Sequence, residues 1–488
     1  MPAYYLEAIT VTIGLFLLVA EAFSTNKSKS WVGLCAILGL VAVLFLTTIA
    51  IGPEAKPGAT WSSWPLWNFY QFDSLARFFK VLSLVCTILV LFLSIDYRSI
   101  LARFTEGGGT ESATGEFYSL PVFACAGMMW MASAKDLAGL FVSLELVTIT
   151  FYILVAYMRR NVGSLEAGVK YLILGALSTG FLVYGIAWVY GATGTMNLAA
   201  LPSHIGETPS SYLLFGIALV FIALGFKVGA APMHYWIPDV YQGAPTPTTA
   251  FLSVGSKAAG FIALIRFSTP LLHSSASPQV VTLLALLASA TLVVGNLAAI
   301  GQKNFKRLLA YSSISNAGFL LLALAANQNG QANALASTSI VSFYLATYLL
   351  MTVAAFFVLA AVHVATGSEE ISALNGLGKR NPTLALALTV VMASLAGVPL
   401  TAGFLGKFFA FQAAVASQIW WGVGLGFVGA AAGFYYYFKP IRAMWWAAPT
   451  NPTPIAVPAI TRSCVAILVA AILILGVWPQ PILCLLGL

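Results

Sequence analysis

The chain has 488 residues, 60% of them hydrophobic and only 8% charged, with a formal net charge of +8. A soluble protein would carry about a quarter charged residues, so a soluble enzyme or a nucleic-acid-binding domain is excluded and the basic excess needs another origin. Apolar windows long enough to cross a bilayer recur from end to end, as continuous blocks and not as the short alternating segments of a transmembrane barrel.

The first block, 4–23, lacks a basic leader and an A-x-A site, and is expected to be a retained span and not a signal peptide. With it, fourteen spans are expected, at 4–23, 31–51, 73–94, 117–134, 137–157, 169–190, 213–232, 248–268, 279–300, 307–326, 338–364, 384–411, 420–438 and 462–483. Numbering the connecting loops alternately separates the basic residues. One side receives fourteen, among them Lys27, Arg159, Arg160, Lys303, Lys306, Arg307 and Arg442, and the other five: Lys56, Arg77, Lys80, Lys135 and Arg266. The rich side is the cytoplasmic one, which places both termini outside, and the net charge of +8 is mostly this topology signal.

Four lysines are left over. Lys170 follows Glu166 by four residues, the favourable order for a pair on a helix entrance. Lys227, Lys257 and Lys407 lie within spans, as does one carboxylate, Glu145, at the middle of the fifth. Inserting each such charge costs roughly 2.5–3.5 kcal/mol. The alternative is that each charge snorkels to a headgroup or makes a structural ion pair, but Lys257 and Glu145 are near mid-span and a lysine stem does not easily reach the interface from there. The set is therefore expected to be a line of protonatable sites, with Glu145 and Lys227 as the candidate pair.

Two of these lysines stand beside helix breakers. Pro232 follows Lys227 by five residues and Pro399 precedes Lys407 by eight. A proline that opens a helix frees backbone carbonyls, which a membrane tolerates only inside protein or beside water. A charge at a broken helix is the pattern of ion-translocation sites. Past the first break, His234 is a candidate relay or a hydrogen-bonded wall residue, and Asp239 is expected to be a cap or an ion-pair partner. Five cysteines, Cys35, Cys86, Cys125, Cys464 and Cys484, form no C-x-x-C or cluster spacing. No haem, iron–sulfur, zinc or other metal site is expected from them.

The stretch "GFKVGAAPMHYWIPDVYQGAPTP", residues 225–247, resembles the seventh-to-eighth helix signature of the antiporter-like membrane subunits of proton-pumping NADH–quinone oxidoreductase, respiratory complex I. "SLAGVPLTAGFLGKFFAF" resembles the broken twelfth helix of that family, while "NFKRLLAYSSISNAGF" and the segments around Glu145 and Lys170 are similar to its subunit N. The resemblance runs from about residue 70 to 440. It implies an all-α polytopic membrane protein of about fourteen helices, with two inverted five-helix repeats and broken helices 7 and 12. The expected division is an N-terminal three-helix segment at 1–110, repeats at 111–275 and 276–440, and a C-terminal helix at 441–488.

By the same resemblance Glu145, Lys227, Lys257 and Lys407 match the proton-channel residues, and His234 a histidine usually found there. One departure is plain: Asn316 stands where the tenth-helix motif has a histidine, and an amide carries no proton. The implied function is a proton-translocating membrane-arm subunit of the translocase, coupled to quinone reduction elsewhere in the complex. No catalytic redox residue and no bound cofactor are expected in this chain. FMN and iron–sulfur clusters are expected in other subunits. Expected partners are other membrane-arm subunits, above all another antiporter-like subunit and the small membrane subunits, together with lipid and no nucleic acid. The expected location is the bacterial inner membrane, multi-pass, with periplasmic termini. The alternatives are a subunit of a multi-subunit sodium/proton antiporter and a non-pumping membrane scaffold.

Overall fold

The computed structural model describes residues 1–486 apart from 27, 56–57, 107–108, 327–335 and 450–452. Two lysines used for the topology, Lys27 and Lys56, lie outside the described residues. Among the described residues there is no strand beyond four isolated bridges, and the chain is a succession of helices.

In chain order the principal helices begin with α1 (Tyr5–Ala22), α2 (Ser30–Ile49), α3 (Ser74–Asp96), α4 (Glu116–Ser133), α5 (Leu137–Val155), α6 (Val162–Thr193) and α7 (Ser211–Val228). There follow α8 (Trp236–Gly243), α9 (Thr246–Phe251), α10 (Lys257–Leu272), α11 (Ser277–Ile300) and α12 (Phe305–Ala325). The last are α13 (Ser337–Thr366), α14 (Pro382–Ala396), α15 (Ala402–Ala416), α16 (Trp420–Trp446) and α17 (Ala459–Val477). Helices occupy all fourteen expected positions, and eleven segments are long and apolar enough to cross a membrane. The remaining three positions are those of α4, α16 and the pair α14–α15.

Local chemistry sets the ends. The Asp136 carboxylate accepts the Gly139 N–H at 2.6 Å and starts α5. Asn161 does the same for Gly163 at 2.9 Å, so α6 begins seven residues before the expected 169 and carries Lys170 well inside it. Gly194 and Gly367, at φ +71° and +72°, close α6 and α13 in the left-handed conformation that glycine adopts without strain. The expected 213–232 helix instead stops at Val228, and the expected 384–411 helix is two helices.

The chain divides into two compact units, residues 1–91, 102–228 and 255–282 in the first and 92–101, 229–254 and 283–488 in the second. In the first unit α4 packs on α1 and α5, and α7 packs on α6 and α10. The α6–α7 crossing is close because Gly185 and Gly216 face each other. A Cβ on either would come within 3.0 Å of the other's carbonyl oxygen. Large apolar side chains such as Ile173, Leu177 and Tyr184 on α6 remain exposed, as a lipid- or subunit-facing helix requires.

In the second unit α13 is central, packed by α12, α14, α15 and α17. Its most apolar stretch is 89% buried and that of α12 is 94% buried, so both helices are packed on nearly every side. The segments just before α12 and just after α13 are zipped together. Phe305 N–H donates to Glu369 O and Ile371 N–H to Lys303 O, both at 2.9 Å.

Candidate functional site

In the first unit Lys227 occupies the last turn of α7 and is 6% exposed. Its Nζ donates to the Thr148 hydroxyl at 2.6 Å, and that hydroxyl in turn donates to Leu144 O at 2.8 Å. Glu145 lies one turn before Thr148 on α5, so the two side chains share a helix face. The Glu145 carboxylate accepts the Thr179 hydroxyl of α6 at 2.8 Å. Glu145 and Lys227 therefore come to one neighbourhood without forming an ion pair, and Thr148 supplies the oxygen that the ammonium takes.

Lys257 is 2% exposed and opens α10 directly after a π-helical turn, Leu252–Ser256. One turn on, a Cβ at Gly260 would lie 3.3 Å from the Lys227 Cβ. The absence of a side chain there lets α7 and α10 approach and brings the two lysine-bearing turns side by side. Such π turns mark many functional positions in helices.

The second unit holds Lys407, 7% exposed, on α15. The helix breaks as the sequence suggested, with Gly397 at φ +94° and Leu400 at φ +67° between α14 and α15. The break leaves the last α14 carbonyls without helical donors. Lys407 Nζ reaches back to two of them, Leu395 O at 2.7 Å and Ala396 O at 3.1 Å. The Phe319 ring covers the ammonium from 5.3 Å. The carbonyl end of α14 carries the negative pole of its helix dipole, which suits a cation without neutralising it.

His234 and Pro232 also fall in the second unit, in the turn between Val228 and Trp236 that Gly229 begins at φ +78°. The Ala231 N–H freed by that turn donates to the Thr291 hydroxyl at 2.9 Å. His234 is 7% exposed, and its Nδ1 has no hydrogen-bond partner among the described residues. Asp239 pairs with Arg307 at 2.7 Å. Asn316 is held between tyrosines. Its Oδ1 accepts from Tyr344 at 2.8 Å, and its Nδ2 donates to Ser312 O at 2.8 Å and to Tyr437 at 3.4 Å. The Ser312 and Tyr437 hydroxyls bond each other as well.

Two charged clusters escape the sequence reading. In the first unit Glu7 of α1 and Lys80 of α3 form a fully buried ion pair, with Tyr70 bonded to both, at 2.7 Å from Lys80 Nζ. In the second, Lys306, Glu369 and His363 form another, with Lys306 Nζ 2.6 Å and His363 Nδ1 2.9 Å from Glu369. Both lysines had been counted as loop charges. The signal was depth: Lys80 lies seven residues inside an expected span and Glu7 three inside another. No group of three or more His, Cys, Asp or Glu among the described residues is placed to hold a metal ion.

The family model of the NADH:quinone oxidoreductase/Mrp antiporter transmembrane region matches residues 134–433. The NADH-quinone oxidoreductase subunit N of Heliobacterium modesticaldum is 39% identical over 480 residues, 98% of this chain and 96% of that protein. A chain of respiratory complex I from Thermus thermophilus with bound Aureothin superposes with TM-score 0.78 at 32% identity, over 98% of both chains. A chain of the Mrp complex from Dietzia sp. superposes with TM-score 0.82 over 99% of this chain and 96% of that one, and at 20% identity it shows a shared fold alone.

Proposed function

We propose that this chain, which belongs to the family of NADH-quinone oxidoreductase subunit N, carries protons across the membrane by way of Lys227, Lys257 and Lys407. As a member of that family it is an antiporter-like subunit of the membrane arm of a translocase, and its partners are the other membrane-arm subunits. The redox chemistry, with FMN and iron–sulfur clusters, takes place in other subunits, and quinone reduction there drives the protons here. The chain sits in the bacterial inner membrane with both termini on the periplasmic side. Residues 111–275 and 276–440 act as two inverted repeats, each contributing half of a path.

One observation supports this reading above the rest: Lys227 and Lys407 end on neutral oxygens. A lysine locked to a carboxylate in a buried site stays charged, because removing the proton strands the partner's charge. A lysine held by a hydroxyl or by two carbonyls keeps weak acceptors whether or not it is charged, so a nearby carboxylate is free to bias its proton. Glu145, one turn from Thr148, is placed to supply that bias to Lys227. Asn316 is fixed as an acceptor for Tyr344 and a donor to α12, so protons pass it by hydroxyl or water and not through its amide. His234 serves as a secondary relay past the first break.

The test is NADH-driven proton uptake into inverted membrane vesicles holding the assembled complex with Lys407→Gln or Glu145→Gln. Uptake lost at normal assembly supports the path. Uptake retained in both variants sinks it.

A further inference from the structure

Lys306, Glu369, His363, Tyr97 and Thr246 come together in the second unit from five places in the chain, on the side that the basic-residue excess marks as cytoplasmic. Three donors converge on one carboxylate oxygen, Glu369 Oε1: Lys306 Nζ at 2.6 Å, His363 Nδ1 at 2.9 Å and the Thr246 hydroxyl at 3.0 Å. Lys306 is 2% exposed and also donates to Ala244 O at 2.8 Å. His363 and Glu369 keep 15% and 14% exposure, so the cluster is not sealed from water. The Tyr97 hydroxyl lies 3.0 Å from His363 Nδ1.

The carboxylate fixes the tautomer. A carboxylate oxygen only accepts, so Nδ1 carries the proton and Nε2 keeps the lone pair. A histidine backed in this way takes a proton at Nε2 and gives one up at Nδ1. Glu369 meanwhile faces two proton-bearing groups, Lys306 on its buried side and His363 on its more exposed side. An inert staple would need only the Lys306–Glu369 pair. The backbone bridge between Asn304 and Glu370 already ties the two segments together.

We infer that the His363–Glu369–Lys306 cluster is a proton-exchange station, passing protons between cytoplasmic water and the interior path that leads to Lys407. The inference rests on the lysine path proposed above. Water protonates Nε2, and the imidazolium passes its Nδ1 proton to Glu369. The neutral carboxylic acid no longer holds Lys306, which releases a proton inward. Glu369 then returns its proton to Lys306, and His363, left neutral with its proton on Nε2, gives that proton to water and takes one from water at Nδ1, which restores the first tautomer. One proton has moved from water to the interior and every group has regained its first state.

Inward of the cluster, Ser313 lies seven residues along α12 from Lys306, about 10 Å of rise and on the same helix face. From there the hydroxyls continue, with Tyr241 3.4 Å from Ser313 and Ser312 bonded to Tyr437. Tyr437 and Tyr344 flank Asn316, both bonded to its amide, which protons pass by hydroxyl or water, and the Tyr344 ring packs on Gly406, the residue before Lys407.

The test uses the assembled complex in inverted vesicles, with its amount fixed by native gel. His363→Ala is expected to lower NADH-driven uptake roughly 100-fold, the low end of what a positioned acid–base group contributes, and added imidazole is expected to restore most of it. His363→Gln, which keeps a side-chain hydrogen bond and cannot titrate, is expected to behave as His363→Ala does without imidazole. Wild-type uptake in His363→Gln overturns the inference, as does a loss in His363→Ala that imidazole leaves unchanged. Lys407→Gln separates the two readings. If it pumps normally the lysine path itself is wrong, whereas a dead Lys407→Gln beside a fully active His363→Gln removes only the exchange station.

Discussion

Thr148→Val removes one oxygen and almost nothing else. Valine has the shape of threonine, favours the same helical rotamers less the hydroxyl, and leaves Glu145 and its bond to Thr179 in place. What disappears is the 2.6 Å acceptor of Lys227. A hydrogen bond to a charged group contributes about 1.5–3 kcal/mol. A proton-transfer step that depends on that contact therefore slows by roughly ten- to 150-fold. The assay is uptake per assembled complex in inverted vesicles, with Thr148→Ser as the control. Serine restores the hydroxyl and its bond to Leu144 O, and should recover most of the uptake. Uptake unchanged in Thr148→Val refutes the reasoning, because Lys227 would then need no neutral acceptor. A Thr148→Ser variant as poor as the valine would refute it too, since shape and not the hydroxyl would be what matters.

Gly397→Ala places a Cβ at φ +94°, 3.2 Å from Lys407 Cδ. The left-handed conformation costs an L residue roughly 1–2 kcal/mol, so a lower thermal-inactivation temperature and weaker uptake are expected together, read on the same vesicles. Lys80→Met leaves Glu7 charged, buried and unpaired, and should cost about 3–5 kcal/mol, seen as poor assembly on a native gel. Adding Glu7→Gln should recover most of that assembly, and failure to do so would mean the pair contributes more than mutual neutralisation. Burial alone would raise the Glu369 carboxyl, but Lys306 and His363 beside it lower it from 4.5 to about 2. Its depressed pKa contributes stability that is full above about 4.5 and lost as pH falls through about 2, worth about 3 kcal/mol at 1.36 kcal/mol per pH unit. The thermal-inactivation gap between wild type and Glu369→Gln should therefore close as pH falls below 4.5 towards 2. A gap that persists unchanged into that range would contradict the pairing.

Much of the fold was legible because in a membrane the solvent does the sorting. Each apolar block became a helix near its expected place, and Pro399 marked a break that the chain makes, where Gly397 takes a left-handed turn. The same residues explain what was not legible. Where Lys407 ends depends on which carbonyls the break frees, and those belong to Leu395 and Ala396, twelve and eleven residues away. The partner of Lys227 is a threonine, a residue type common in spans where it bonds its own helix, and Thr148 does that as well. Nothing in the sequence separates it from the other hydroxyls. Lys306 and Lys80 enter the topology count as loop charges because such a count weighs position along the chain and ignores what folds over it. Glu369 lies 63 residues beyond Lys306, and only the pairing of two loop segments brings them together.

The central claim is that Lys227 belongs to a coupled proton path, and the most direct measurement is NADH-driven proton uptake into inverted vesicles carrying Lys227→Ala in a fully assembled complex. The account predicts that uptake is lost while assembly is normal. Uptake equal to that of the native protein would contradict it, and would make Lys227 a structural lysine held by Thr148.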